Sequence, residues 1–323
     1  MAQEHRGHHG PHDDGHDHVR HGHDPHGHDK DHGGHTHAHH GGADLDWAVL
    51  APLLESQAEL FAPLYEQVMA WLAREVAGEP GLIVDAGSGP GVVTCQFAEA
   101  FPASRVVAVD SSKPLLERAR ARADRLGHTG RLTTVHGELP EALAQLEYPA
   151  DLLWASNSLH HLGDQRAAVA AFAGHLAPGG TLALLEGGLP ARFLPRDIGI
   201  GRPGLQARMD AIEAGSFHRM REELPGSVAE AEDWLALMAA AGLKPTGTRS
   251  FLLDLPAPVS DPVRAYVAAT LTRLYDGMRE DLSAEDRATL ERLLDPEDGA
   301  SVHRRNDVFV LKAHTVHTAV RPS

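Results

Sequence analysis

Residues 85 to 91 of this 323-residue chain, Asp85-Ala86-Gly87-Ser88-Gly89-Pro90-Gly91, have the types and spacing to hold a charged ligand. Glycines let the backbone turn sharply and let a ligand approach closer than a side chain would allow. An acid stands two residues before the first glycine, and a carboxylate there suits a ligand bearing an ammonium group rather than a pyrophosphate. A dinucleotide fingerprint wants Gly or Ala three positions after its second glycine, where this chain has Val92. The phosphate-cradling loop fails outright, because no Gly-Lys-Ser/Thr follows. A second candidate is the pair His160-His161, where an imidazole could take a proton near neutral pH. A third is the N-terminal tract, which holds 15 of the 24 histidines before residue 41. Imidazoles two positions apart there, as in His16 with His18 and His21 with His23, would chelate nickel, zinc or copper at labile sites.

The elements that must position these groups are readable. Residues 1 to 43 are His, Gly and Asp with almost nothing apolar, and such a segment cannot offset the entropy of ordering it, so disorder is expected. Its three basic and seven acidic residues give about -4 with neutral histidines and about +11 with all of them protonated. Apolar residues at helical spacing from Trp47 to Val76, interrupted by Pro52 and Pro63, predict two helices within a segment 44 to 79. Gly81 to Asp85 is a short apolar run feeding the glycine loop. Arg105 to Asp110, Leu132 to His136, Asp151 to Ala155 and Thr181 to Glu186 repeat that strand pattern, with helices at Lys113 to Leu126 and Asp164 to Leu176. Strict alternation means an α/β fold with a doubly wound parallel sheet. Residues 189 to 226 read as loops with one helical patch near Leu205 to Ala214. Ser227 with Glu230 then reads as a capping box opening a helix that Gly242 stops. Thr248 to Leu255 and Asn306 to Ala313 suit two last strands. Between them two helices are expected, one with Val263, Val267, Leu271, Leu274 and Met278 on a single face and one capped by Ser283.

Composition bounds the function. Lys+Arg of 29 against Asp+Glu of 45 gives a net charge of -16, which repels a phosphate backbone and argues against nucleic acid as partner. No stretch approaches the roughly 20 apolar residues of a membrane helix, and the N-terminus has no apolar signal core, so a cytoplasmic protein without a membrane partner is expected. One cysteine, Cys95, excludes an internal disulfide and a zinc site of several thiolates. No structural metal site is expected.

The chain closely resembles the class I S-adenosylmethionine-dependent methyltransferases, whose first motif is an acid, any residue, then Gly-x-Gly-x-Gly. Residues 85 to 91 match it position by position. The likeness covers about residues 81 to 188 and the final strand, with Leu176-Ala177-Pro178-Gly179-Gly180 as the turn before the fifth strand. It implies a Rossmann-like, seven-stranded, mostly parallel sheet with N-terminal helices and a helical C-terminal insertion. It also implies S-adenosylmethionine as cofactor, held by Asp85, Gly87, Ser88, Gly89 and Gly91. Asp110 corresponds to the acid that takes the ribose hydroxyls, with Ser111 beside the adenine, Glu138 and Leu139 at the adenine edge, and Ser156 in the fourth-strand motif. The bland alternatives are that Asp85 caps the following helix and that Asp110 is an ordinary strand-end residue. Residues 80 to 188 are then the cofactor-binding core, and 189 to 323 supply a lid, helices and the last strands.

His160 occupies the place where some small-molecule O-methyltransferases keep a Leu-His-Asp base, although His161 stands where they have Asp. The alternative is that the two histidines bond backbone and hold the loop. A cytosine C5 enzyme would need a cysteine near the fourth strand, and an adenine N6 enzyme a Pro-Pro-aromatic loop; neither is present. Asn157 alone is too little for the magnesium of the catechol type. A small-molecule O, N or C acceptor is therefore expected. A second reading, from the histidine tract, is a metal-handling protein on a methyltransferase-like scaffold.

Overall fold

The computed structural model of the protein describes residues 47 to 323 except Ala77, without the side chains of residues 47 to 51 and Leu53. The histidine tract and the expectations placed on it lie outside the described residues. Two helices come first. α1 (Trp47–Leu60) contains Pro52, whereas Pro63 lies in the first turn of α2 (Ala62–Glu75), so the break falls at Phe61. A proline costs little in a first turn, where its missing N–H would have had no partner.

Strands and helices then alternate: β1 (Leu82–Ala86), α3 (Val92–Ala100), β2 (Arg105–Asp110), α4 (Lys113–Leu126), β3 (Leu132–His136), β4 (Ala150–Ser156), α5 (Gln165–Gly174) and β5 (Leu176–Arg192). After them come α6 (Leu205–Glu223), α7 (Trp234–Ala240), β6 (Lys244–Leu255), α8 (Asp261–Met278), α9 (Ala284–Leu294) and β7 (Val310–Val320). The strands form one seven-stranded sheet in the order β3-β2-β1-β4-β5-β7-β6, parallel except for β7, which runs against both neighbours. This is the expected α/β, doubly wound, Rossmann-like architecture.

Successive side chains of a strand point to opposite faces. Ile83, Leu152, Trp154 and Leu185 pack beneath α2, α3 and α8, while Val84, Leu153, Leu182 and Leu184 meet α5 and α7. Burial on both sides is why β1, β2, β4 and the middle of β5 read as apolar runs, whereas the edge strand β3, Leu132-Thr133-Thr134-Val135-His136, does not. The chain leaves β1 for β2 on one side and returns to β4 on the other. The crevice beyond the C-terminal ends of β1 and β4 is thus the place where such sheets take ligands.

Three expectations are corrected. The short helical patch near 205 to 214 is the 19-residue helix α6. Ser227 does not open a helix: its hydroxyl donates to the Arg221 carbonyl, residues 227 to 233 are non-helical, and Asp233 caps α7 through Ala236 N at 3.0 Å. The last strand begins at Val310 rather than Asn306, because Val308 is spent in the core beside Phe193 before the chain enters the sheet. Ser283 does cap α9, accepting from Asp286 N. Among the described residues no helix is long and apolar enough to cross a membrane.

Candidate active site

Asp85 ends its strand facing inward, 2% exposed, and one carboxylate oxygen accepts the Thr94 hydroxyl at 2.6 Å from the first turns of α3. Burial pushes this carboxyl up to about 7; the Thr94 bond opposes the rise and the charge of Asp110 adds to it. The causes of the shift include no cation, so an ionised Asp85 would be stabilised by a positive ligand. Tyr65 of α2 comes to the same place. Its hydroxyl hydrogen-bonds with Ser156 at the end of β4, and burial pushes it up to about 12, so it stays protonated.

The glycine loop is tied down at its start. Gly87 and Ser88 both donate backbone N–H groups to the Val109 carbonyl, at 2.8 and 3.0 Å. Gly89 N–H donates to one oxygen of Asp110 and Ser112 N–H to the other, each at 2.8 Å. Burial, opposed by these two bonds, raises the Asp110 carboxyl. Two glycines here are obligatory for different reasons. Gly91 has φ +76°, and a Cβ on it would lie 2.5 Å from the Ala119 Cβ of α4. Gly89 has φ +54° and nothing within 4 Å of a Cβ position, so its bare face is open. Beside it the Ser88 hydroxyl is buried without a partner among the described residues.

Beyond β4 the backbone stays unusual. Asn157 adopts φ +48°, a left-handed conformation rare for a side-chain-bearing residue and concentrated at functional sites. The following turn is organised by Glu186, 3% exposed at the end of the apolar part of β5. One of its carboxylate oxygens accepts the N–H groups of Ser158 and Leu159, at 3.0 and 2.9 Å. The other lies 3.3 Å from His160 Nδ1. An ionised carboxylate accepts there, which favours the tautomer with its proton on Nδ1 and leaves Nε2 as the nitrogen with a free lone pair. α6 covers this turn. The Phe217 ring lies 5.7 Å from the His160 ring, tilted by 54°, and the Arg221 guanidinium donates to the carbonyls of His160, Leu162 and Gly163. His161 is exposed with its ring 4.1 Å from that of His160.

The fold therefore brings Asp85, Gly87, Ser88, Gly89, Asp110 and Ser156 to neighbouring strand ends, and Leu139 reaches within 3.9 Å of the Gly87 Cβ position. Gly91 sits behind them as the N-cap of α3. Ser111 and Glu138 are exposed at the margin; the Ser111 carbonyl meets His136 Nε2 at 2.9 Å. Sequence reasoning missed Glu186, Thr94 and the α6 residues Phe217 and Arg221. For Glu186 a signal existed, since it is an acid closing a buried strand, just as Asp85 and Asp110 are.

The residues fit a cationic nucleoside-bearing donor. An uncompensated acid, an orphan hydroxyl and an open glycine face converge on one strand end, with a second acid one strand over. The sequence profile of the methyltransferase-domain family matches residues 83–180. A trans-aconitate 2-methyltransferase of Methylobacterium radiotolerans is 33% identical over 224 residues, covering 64% of this chain and 82% of that protein. The chain belongs to the class I S-adenosylmethionine-dependent methyltransferases. A second trans-aconitate 2-methyltransferase, from Streptomyces coelicolor, is 29% identical over 222 residues, 66% of this chain and 67% of that one. Among solved structures, a methyltransferase of Geobacter sulfurreducens in complex with S-adenosyl-L-homocysteine covers 77% of this chain and 89% of its own. Its sequence identity is 19% and its TM-score 0.42. This methyltransferase uses S-adenosylmethionine as cofactor and transfers its methyl group to a small-molecule acceptor.

Proposed function

We propose that methyl transfer takes place above the C-terminal ends of β1, β4 and β5, on a small organic acid, with His160 as the general base. When bound, the donor supplies an electrophilic methyl group on a sulfonium, and most of the acceleration comes from holding the nucleophile in line with it. Asp85 neutralises the donor's positive charge. Asp110 accepts from the ribose hydroxyls, while Gly87, Ser88, Gly89 and Gly91 give the backbone its shape. Ser111, Glu138 and Leu139 border the adenine, and Ser156, braced by Tyr65, lines the reacting end. The observation that carries the assignment of the base is the bond from Glu186 to His160 Nδ1. It orients the ring, frees Nε2 to take a proton from a hydroxyl acceptor carried by the acid, since an ionised carboxylate oxygen has none to give, and stabilises the imidazolium that results. The acidity of the acceptor is supported by the two relatives, whose names give a carboxylate as their substrate. Residues 80 to 188 serve as the cofactor-binding core, 44 to 79 as helices closing over the donor, and 189 to 323 as lid and pocket wall.

Replacing His160 by alanine tests this. The expected result is a loss of roughly 10²–10⁴ in turnover with donor affinity held within about twofold. Unchanged turnover would remove His160 from the chemistry.

The acidic surface supports a protein without a nucleic-acid partner, and the single unpaired cysteine supports a cytoplasmic setting. The histidine tract, outside the described residues, is proposed to take divalent metal loosely. Among the described residues no group of three or more His, Cys, Asp or Glu could hold a metal ion. Nothing there favours a metal-handling protein as the main function.

A further inference from the structure

We propose that Lys312 and His314 of β7, with Arg273 of α8, form a subsite that holds a carboxylate of the methyl acceptor. Lys312 and His314 meet at Phe61, at the junction of α1 and α2, and Arg273 of α8 lies close enough for its charge to act on Lys312. Lys312 Nζ stands 5.3 Å from the centre of the Phe61 ring, and the His314 ring lies 6.0 Å and the Tyr266 ring 5.8 Å from it. His314 is only 4% exposed, and its Nδ1 is buried without a partner among the described residues. Lys312 is half-buried, and among the described residues it makes neither a hydrogen bond nor an ion pair with a carboxylate. Arg273 is exposed, and among the described residues it likewise makes no hydrogen bond or ion pair with a carboxylate.

A buried cation without a counter-charge is costly. Burial accordingly lowers the Lys312 ammonium; Arg273 repels it, and Glu213 of α6 offers the opposing attraction. His314 is pushed down to about 3 by burial and by Lys312, so at neutral pH it is an uncharged hydrogen-bonding group. In a chain of net charge -16 this is a local concentration of positive charge with unmet bonding capacity. A carboxylate supplies what it lacks: one anion for two cations and an acceptor for a ring N–H. Lone phosphate would offer the same charge, but the aromatic wall of Phe61, Tyr266 and Phe193 suits an organic acid with an apolar body.

The subsite also lies within reach of the reacting end. Phe61 and Tyr65 are four residues apart at the start of α2, one helical turn, or about 6 Å between Cβ atoms. Tyr65 meets Ser156 at the end of β4. In the sheet His314 pairs with Gly188, two residues past the Glu186 that orients His160. Both links lead from Lys312 and His314 toward the strand ends that carry Ser156 and Glu186, where the far end of an anchored acid is proposed to lie.

The subsite rests on the acceptor site proposed above, and the test separates the two. Full-length enzyme, saturated with S-adenosylmethionine or its demethylated product, is titrated calorimetrically with acetate, succinate, benzoate and trans-aconitate, and with inorganic phosphate. Wild type is expected to bind at least one carboxylate more tightly than phosphate. Lys312→Met should weaken that carboxylate at least tenfold and Arg273→Gln severalfold, with donor affinity unchanged. Removing an unpaired cation should leave the melting temperature of Lys312→Met equal or higher, whereas a structural lysine would lower it. Binding of none of the four acids, tighter binding of phosphate, or equal binding of the acid by Lys312→Met overturns the subsite. If the acid still needs Lys312 but His160→Ala turns it over normally, the base assignment falls and the subsite stands. If Lys312→Met binds and turns over the acid normally while His160→Ala does not, the reverse holds.

Discussion

Ionising a carboxyl that is 2% exposed and has a second acid nearby costs free energy, and Asp85 bears that cost in the free enzyme. Its ordinary value of 3.8 rises to about 7, so between those two pH values the folded chain keeps a proton that the unfolded chain has released. Stability must therefore fall as pH rises from about 4 to about 7 and level off above, since folding there binds a proton. Each unit of displacement is worth about 1.4 kcal/mol, which makes Asp85→Asn a stabilising change in the ligand-free protein at pH 8. A rise of roughly 5 °C in melting temperature at pH 8, shrinking toward pH 4, is the expected result by calorimetry. Asp85 is stability spent on function. Glu186 differs, because its carboxylate is met by two backbone N–H groups and an imidazole.

Elements position these groups with tolerances set by backbone contact. The turn from β1 into α3 lies directly on α4, where a Cβ at Gly91 would meet Ala119 at 2.5 Å from a left-handed φ. Gly91→Ala should destabilise the protein by about 1–3 kcal/mol, and weaken the donor with it, because α3 must shift away from α4 and take the loop along. Denaturant titration reads the first effect and donor titration the second. How far each element was legible follows from its surroundings. The central parallel strands β1, β2 and β4 are buried on both faces, so their apolar runs survive without context. α6 buries Leu205 and Met209 and makes most of its other contacts through polar side chains, with Arg208 on Asp286, Asp210 on Arg192 and Arg221 on the loop carbonyls beside His160, so its helical pattern is faint. β7 places Lys312, His314, Thr315, His317 and Thr318 where an ordinary central strand has apolar residues. The apolar run at its start, Val308 to Leu311, attracts the strand assignment instead. Ser227 and Glu230 have capping-box spacing, but Arg221 O takes the serine hydroxyl and Arg166 pairs with the glutamate. The glycine loop and its two acids were legible because a backbone conformation and a charge, not a packing pattern, define them. Glu186 and Thr94 were not, since their partners are remote in sequence.

At the scale of the whole molecule, an acidic catalytic body follows a histidine tract whose charge runs from about -4 to about +11 as its imidazoles protonate. Catalysis should be independent of that tract: a chain lacking residues 1 to 42 is expected to bind the donor within about twofold of full length. Nickel or zinc uptake, measured by calorimetry on both chains, should be lost with the deletion. Metal binding retained in the shorter chain would place a site in the described fold.

The account stands on the carboxylate at the end of β1 meeting a positively charged donor. Its most direct test is the affinity of wild type and Asp85→Asn for S-adenosylmethionine, titrated calorimetrically from pH 6 to pH 8. Wild-type affinity is predicted to strengthen as pH rises through about 7, where the acid becomes charged, while the variant binds at least about tenfold more weakly at pH 8 and with a flat profile. Equal affinities with parallel pH profiles would contradict it.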